Sequence, residues 1–357
     1  MKKILMLSMA LAISLTMLAG CVSKTPAEGD SEGAALDENV LNVYTALEDD
    51  QIADYLTGFQ EEYPDVEVNI TRDSTGVITA KLLAEKDNPQ ADVVWGLSAA
   101  SLLVLKSEGM LEGYAPEGVD AILDEFKDDA AKPTWVGIDA WETAFLVNKQ
   151  VLADNGVTEI PQSYADLIDP MYKGLIAMPN PASSGTGTLT VNGILCLMGE
   201  EEGWAYLDEL DKNIAVYLHS GSAPAKDTAT GEYGIGISFG YRCIKSAEEM
   251  GDNGVVVFPT EGSGWDVEAN ALIKRNDGAK EIAKTFLDWA ISDAVMVKYQ
   301  ENYPFIATGT GDTIPQGYSA NPMDQLIKEV DLQWCADHRD SILEEWTLRY
   351  DGKSEAE

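Results

Sequence analysis

Short apolar runs alternate with amphipathic segments along most of this chain. Leu41–Tyr44 predicts a strand, and Ile52 and Phe59 after it lie on one face of a predicted helix. Val66–Ile70 and Asp92–Trp95 predict two more strands, each followed by a helical pattern. Strands that alternate with helices at this spacing indicate βαβ units and a mainly parallel sheet.

The same order of elements starts again after Trp141. Phe145–Val147, Leu175–Met178 and Ile235–Ser238 predict strands, and helical patterns dominate the end of the chain. Two α/β lobes fit this repetition better than one large sheet. The expected division is residues 40–140 with 266–320 for the first lobe, 141–265 for the second, and 321–350 for C-terminal helices whose lobe the pattern leaves open.

The first twenty residues predict a secretory signal peptide. Lys2 and Lys3 precede an apolar run that ends in Leu18-Ala19-Gly20-Cys21, and this run is too short to span a membrane. The tetrapeptide is similar to the lipobox of bacterial lipoproteins, which implies a lipid on Cys21 and a protein anchored outside the cytoplasmic membrane. An ordinary secretory signal with a chance cysteine is the alternative. Residues 21–39 are rich in Ser, Gly, Ala and acid, which predicts a flexible linker.

The net charge limits the partners. It is −37 for the whole chain, and it becomes −39 once the two lysines of the leader are removed. Such a charge excludes nucleic acid and repels anions at long range, so any anionic ligand has to be held by local dipoles and hydrogen bonds. Cys196, Cys243 and Cys335 are widely spaced, which argues against a zinc cluster or a disulfide scaffold and leaves one disulfide open.

Several sequence landmarks resemble those of extracellular solute-binding proteins of ABC importers, in the branch that binds ferric iron and phosphonates. They are Val43–Ala46, Ala91–Val94, Asp166–Pro170 with Tyr172–Gly174, and Gly231-Glu232 before Ile235–Ile237. Within this branch, Arg72–Gly76 with the helix after it and Asn88–Leu97 are most similar to the 2-aminoethylphosphonate-binding subgroup.

This resemblance implies a type II periplasmic-binding-protein clamshell of two α/β lobes. The chain would cross between the lobes near Trp141 and again at 262–268, and the ligand would lie in the cleft between them. The implied protein is a monomer without cofactor or metal that binds 2-aminoethylphosphonate and delivers it to an ABC permease. Iron binders of the branch carry a tyrosine pair where Ser238–Tyr241 has only Tyr241, which argues against iron.

Two segments could hold the phosphonate group. Ser74-Thr75-Gly76 and Ser183-Ser184-Gly185-Thr186 each open a predicted helix. A helix N-terminus offers free N–H groups and a positive dipole end, glycine permits close approach, and Ser or Thr adds a hydroxyl donor. Plain N-capping is the alternative for either segment alone. Their occurrence at equivalent places in both lobes favours a shared ligand.

Other residues are candidates for the rest of the ligand. Glu142, Trp141 and Trp95 could recognise an ammonium group through a carboxylate or an aromatic face, although hinge packing and a solvated acid are the alternatives. The remaining candidates are hydroxyl contacts from Tyr241 and Ser98, donors at Thr45 and Ala46, and positive charge from Lys226 and Arg242.

Catalysis has little support in the sequence. His219 and His338 are the only histidines, and neither belongs to a Ser-His-acid pattern or a His-x-x-His metal pair. A secreted phosphoesterase that uses carboxylates and a metal is the alternative of another class. Among receptors, the alternatives are proteins that bind ferric iron, a polyamine or a phosphorylated small molecule.

Overall fold

A computed structural model of the protein describes residues 36–309 and 313–356. The predicted signal peptide and the predicted lipid on Cys21 lie outside these residues. Among the helices of the described part, none has both the length and the apolar character needed to cross a membrane.

Strands and helices alternate along the chain, as the hydrophobic pattern predicts. The strands are β1 Val40–Thr45, β2 Glu67–Arg72, β3 Val93–Ser98, β4 Leu111–Glu112, β5 Val136–Asn148, β6 Ile176–Pro179, β7 Ile214–Leu218, β8 Ile235–Phe239, β9 Gly254–Val257, β10 Trp265–Ile273 and β11 Phe305–Ile306.

The α-helices are α1 Asp49–Tyr55, α2 Thr57–Glu62, α3 Thr75–Ala84, α4 Ala99–Ser107, α5 Lys149–Asp154, α6 Tyr164–Leu167, α7 Gly185–Met198, α8 Glu200–Asp211, α9 Ala223–Thr230, α10 Gly240–Met250, α11 Glu281–Ala290, α12 Asp293–Gln300 and α13 Leu332–Tyr350. Short 3₁₀ helices lie at Val119–Ala121, Asp124–Phe126, Pro170–Tyr172, Gly251–Asn253, Pro322–Gln325 and Asp351–Lys353.

The strand β5 joins two halves of the sheet. Its first part pairs with β10 and β11, and its second part, from Thr143 onward, pairs with β8 and β9. On one side of this junction β1 pairs in parallel with β2 and β3; on the other side β6 pairs in parallel with β7 and β8. Both β5 and β10 pair antiparallel with their neighbours, so the sheet is mixed, with parallel pairs in each half.

Each half of the sheet carries its own hydrophobic core. The first core gathers residues of β1, β3, α4, α11 and α12, and the second gathers residues of β6, β8, α7 and α8. We call the parts around these cores the first and the second lobe. The C-terminal helix α13 buries Ile342, Trp346 and Tyr350 in the second core. It also packs against α4 of the first lobe, so this helix touches both lobes.

Candidate ligand-binding cleft

A polar cavity lies between the two lobes. Of the residues that the sequence singles out, Ala46, Ser74, Thr75, Trp141, Ser184, Gly185 and Thr186 line it. The rest of its wall is formed by Glu48, Gln51, Arg72, Ser220, Gly221, Phe239, Glu268 and Tyr303. Strand ends and the N-termini of two helices from different lobes therefore meet at one cavity.

The N-terminus of α3 supplies hydroxyl groups from the first lobe. The Ser74 backbone is extended, with φ −62° and ψ 150°, and its side chain does not cap the helix. Thr75 is the first residue of the helix. Within the described residues neither hydroxyl makes a hydrogen bond, so both are free to donate into the cavity.

The N-terminus of α7 supplies the matching groups from the second lobe. Here Ser184 is the cap residue, and its Oγ accepts a hydrogen bond from the Gly187 N–H at 3.3 Å. Thr186 lies two positions into the helix, and its hydroxyl makes no hydrogen bond with any described residue. Gly221 leaves space for that hydroxyl, because a Cβ at Gly221 would lie 2.4 Å from Thr186 Oγ1.

The two helix N-termini touch, so the lobes are closed. The Gly76 N–H donates to the Ser183 carbonyl at 2.9 Å. A Cβ at Gly76 would lie 2.4 Å from the Ala182 carbonyl oxygen, and one at Gly185 would lie 2.5 Å from Thr75 Oγ1. Glycine at both positions is therefore a condition for this closed contact.

Ion pairs across the cleft converge on Glu48. Its Oε1 lies 3.0 Å from Arg72 Nη2, and its Oε2 lies 3.2 Å from Lys226 Nζ and 3.1 Å from Arg242 Nη2. Arg242 also lies 3.2 Å from Asp50 Oδ2. Burial opposes the charge of Arg242, but the Glu48 and Asp50 carboxylates outweigh it and raise the pKa of the guanidinium. The two predicted cations of the second lobe thus bind carboxylates of the first lobe.

A buried carboxyl pair lies behind the cavity. Glu268 of β10 and Asp139 of β5 are opposite each other in the sheet. Burial raises the pKa of Glu268 to about 8, and burial together with the Glu268 carboxyl raises the pKa of Asp139 well above its usual range. Glu268 lines the cavity, and its Oε2 has no hydrogen-bond partner among the described residues. Burial therefore favours the neutral form of a carboxyl group in the cavity wall.

Two of the residues predicted to recognise an ammonium group do not line the cavity. Trp95 is fully buried in the first core, and its Nε1 donates to the Tyr299 hydroxyl at 2.9 Å. Glu142 points away from the cleft because neighbouring residues of a strand face opposite sides, and Trp141 is the one that faces the cavity. Burial raises the pKa of Glu142 to about 8, and the glutamate lies against Gly240.

Four other candidates have structural roles near the cavity. Ser98 Oγ donates to Asp266 Oδ2 at 2.6 Å and caps α4, and Ser183 Oγ donates to the His219 carbonyl at 2.8 Å. Thr45 Oγ1 accepts from the Leu47 N–H, and the Tyr241 hydroxyl donates to Asp50 across the lobes. Their side chains are satisfied by the protein itself, which separates them from the hydroxyls that line the cavity.

Sequence reasoning missed several residues of the cavity wall. Arg72 begins the segment that carries the family resemblance, and Glu268 ends the segment 262–268 where the chain was expected to return, so both had a local signal. Gln51 and Tyr303 had none, because their 2.9 Å hydrogen bond joins residues 252 positions apart. In the described part of the chain, no group of three or more His, Cys, Asp and Glu side chains is placed to hold a metal ion.

Comparison with known proteins identifies the family. A model of bacterial extracellular solute-binding proteins matches residues 88–325. An uncharacterised protein of Haemophilus influenzae is 28% identical over 348 residues, which cover 94% of this chain and 96% of the relative. A probable ABC transporter periplasmic-binding protein of Sinorhizobium fredii, y4fP, is 25% identical over 283 residues, with 76% of this chain and 75% of the relative covered.

Solved structures confirm the predicted periplasmic-binding-protein fold. The periplasmic binding protein AfuA from Actinobacillus pleuropneumoniae, with exogenous fructose 6-phosphate bound, matches with a TM-score of 0.79 and 28% identity, over 87% of this chain and 98% of that one. The periplasmic binding protein P5PA matches with a TM-score of 0.78 and 26% identity, over 87% and 99%. Iron-bound HitA from Pseudomonas aeruginosa shares the fold at 20% identity and a TM-score of 0.70, over 86% and 98%. This chain belongs to the family of bacterial extracellular solute-binding proteins.

Proposed function

We propose that this protein is the receptor of an ABC importer and that it binds a small phosphorylated compound, with a sugar phosphate as the best-supported class. The observation that carries the proposal is the meeting of two helix N-termini, from different lobes, at one cavity where the Ser74, Thr75 and Thr186 hydroxyls have no protein partner among the described residues. The fold and the ABC-transporter relative support the role in import.

The phosphate group fits the helix N-termini. A tetrahedral anion has several acceptor oxygens, and this end of the cavity offers the hydroxyls of Ser74, Thr75 and Thr186 together with the terminal N–H groups and the positive dipole ends of α3 and α7. Arg72 lines the same cavity and adds a positive charge. An anion bound to both termini would hold the two lobes together.

The remainder of the cavity suits a polyhydroxylated group. Trp141, Phe239 and Tyr303 present aromatic surface, and Gln51 and Glu268 present hydrogen-bonding groups. A protonated carboxyl can both donate to and accept from sugar hydroxyls. AfuA, which is 28% identical and has fructose 6-phosphate bound, supports this class of ligand.

The compound 2-aminoethylphosphonate is the second candidate. The sequence similarity to its binding proteins favours it, and so does the Glu268 Oε2, which has no partner among the described residues. The ammonium group would lower the pKa of Glu268 and expel its proton, because an opposite charge favours the ionised form. Sugar hydroxyls would bind the protonated carboxyl without releasing that proton.

Titration calorimetry with fructose 6-phosphate, 2-aminoethylphosphonate and ethylphosphonate tests the proposal. We expect binding of the sugar phosphate, with the melting temperature raised by mass action. Repeating each titration at pH 7 in buffers of different ionisation enthalpy reports the protons released. Release with 2-aminoethylphosphonate and tighter binding than ethylphosphonate would establish the second candidate. Binding of ferric ion or a polyamine alone would contradict both.

We further propose that the protein acts outside the cytoplasmic membrane, anchored by a lipid on Cys21, and that it acts as a monomer without cofactor or catalytic activity. The Leu-Ala-Gly-Cys segment at the end of the leader supports the anchor. Cys21→Ala should move the protein from the membrane fraction to the soluble fraction. Recovery of chemically unchanged ligand after incubation separates a receptor from a phosphoesterase.

A further inference from the structure

A second cavity lies between the lobes, beyond the contact of Thr75 with Gly185. It lies between α4 of the first lobe, α7 of the second lobe and the C-terminal helix α13. Thr75 and Gly185 line both cavities, so their contact separates them in the closed protein. No aspartate or glutamate belongs to the wall of the second cavity, in a chain whose net charge is −37.

Asn192 lines the second cavity with an unsatisfied group. It lies on α7, its exposed fraction is 5%, and its Oδ1 has no hydrogen-bond partner among the described residues. A buried polar atom without a partner costs free energy, so such atoms are usually paired with protein, water or ligand. This acceptor is placed to receive a hydrogen bond from an occupant of the cavity.

Arg339 brings a positive charge to the same cavity. Its side chain has an exposed fraction of 17%, and its one ion pair in the described part of the chain is with Asp340, whose side chain is 94% exposed. Such an exposed pair is weak, and a guanidinium has five N–H donors. The hydroxyl of Ser101, also in the wall, makes no hydrogen bond with any described residue. The wall thus offers several donors and one acceptor.

We propose that the second cavity binds a small oxyanion that also carries a hydroxyl, of which hydrogen phosphate is the simplest. Arg339 and Ser101 would donate to its charged oxygens, and its P–OH would donate to Asn192 Oδ1. Because the wall draws on both lobes, the ion binds the closed form preferentially and raises the affinity of the ligand in the first cavity. This coupling rests on the proposed function, but binding of the ion does not.

Calorimetric titration of the purified protein with inorganic phosphate tests the site. Arg339→Gln and Asn192→Leu each remove one partner of the ion, and each should weaken phosphate binding about tenfold or more, the scale of a hydrogen bond to a charged group. Arg349→Gln changes the net charge equally on the same helix, outside the cavity, and should bind phosphate as the wild type does. Thr186→Val alters only the first cavity and should leave this binding event in place.

Three outcomes would overturn the proposal: wild-type affinity in both Arg339→Gln and Asn192→Leu, no phosphate binding by the wild type, or loss of all phosphate binding in Thr186→Val. Melting curves in the absence of phosphate verify that each variant folds. The coupling is measured separately, as the affinity for fructose 6-phosphate with and without lactate, a hydroxycarboxylate used as the probe of the second cavity. Tighter binding with lactate in the wild type but not in Arg339→Gln supports the coupling, and equal affinity with and without lactate contradicts it. If fructose 6-phosphate does not bind at all, the proposed function fails while the phosphate result on Arg339→Gln still stands.

Discussion

Replacing Thr186 with valine separates a role in ligand binding from a role in helix capping. Valine keeps the branched shape and deletes one hydroxyl. In the structure this hydroxyl faces the cavity and makes no hydrogen bond with described residues, whereas Ser184 Oγ caps the helix α7. The substitution therefore removes a donor to the ligand and leaves the cap in place.

The expected loss follows from the charge of the phosphate group. A hydrogen bond to a charged group contributes about 1.5–3 kcal/mol, and its loss inside a closed cavity leaves a charged oxygen without a partner. The dissociation constant of the bound phosphate ester should rise roughly 10- to 150-fold. The free energy of unfolding without ligand should change by less than about 0.5 kcal/mol, as for a substitution that breaks no internal contact.

Titration calorimetry and urea unfolding measure the two quantities on the same sample. Ser163→Ala is the matched control, because Ser163 Oγ caps α6 by accepting from the Asp166 N–H at 3.0 Å and does not line the cavity. It should lower stability by about 0.5–2 kcal/mol with ligand affinity unchanged. Thr186→Val with wild-type affinity, or with the stability loss of the control, would refute the assignment of the phosphate to this helix end.

Three further predictions concern closure and titration. Gly76→Ala should weaken ligand binding tenfold or more, because the added Cβ would block the contact between the two helix N-termini. Gly58→Ala is the control and should bind as the wild type does, because the atom nearest to its added Cβ lies 3.7 Å away. Small-angle scattering that shows Gly76→Ala to be as compact with ligand as the wild type would contradict this prediction. Glu268→Gln should flatten the pH dependence of urea unfolding. Burial raises the pKa of the folded glutamate above that of the unfolded one, so wild-type stability should fall as the pH rises from the unfolded pKa through the folded pKa, and an unchanged slope in the variant would argue against this. Arg242→Gln removes ion pairs across the cleft and should therefore lower the affinity for the ligand. It should also make that affinity less dependent on salt, because salt screens ion pairs. Calorimetry in low and high salt would measure both effects.

The alternation of strands and helices could be predicted from the sequence, but the strand that joins the lobes was predicted only in part. The apolar run Phe145–Val147 predicts a strand, whereas β5 extends back to Val136. Asp139 and Glu142 interrupt the hydrophobic pattern of this strand although both are buried. A hydrophobic pattern predicts that carboxylate side chains are exposed. Asp139 and Glu142 can be buried because burial raises their pKa values and favours the neutral form.

Part of the candidate site could be predicted from neighbouring residues in the sequence, and part depends on contacts between distant residues. The two helix N-termini are visible in the sequence because Ser, Thr and Gly are consecutive and directly precede helical patterns. The place of Trp95 at a strand end predicts a position in the cleft, yet β3 is buried on both faces between β1 and β10. A strand inside a sheet covered on both sides directs its side chains into cores, and only the tertiary structure reveals that.

The ion pairs at Glu48 explain how so acidic a protein can hold an anion in its cleft. The acidic residues of the outer surface act over distances at which salt screens them, since the Debye length is about 8 Å at physiological ionic strength. Within the cleft, Arg72, Lys226 and Arg242 lie within 3.2 Å of the Glu48 carboxylate, and Asp49 and Asp50 each lie within 3.9 Å of one of these cations. Three cations therefore face three carboxylates, and the charges balance at this position even though the chain carries −37. The positive dipole ends of α3 and α7 then act on the ligand in a cleft whose local side-chain charges are balanced. The electrostatic potential at the ligand is therefore set by the nearby groups and not by the net charge of the chain.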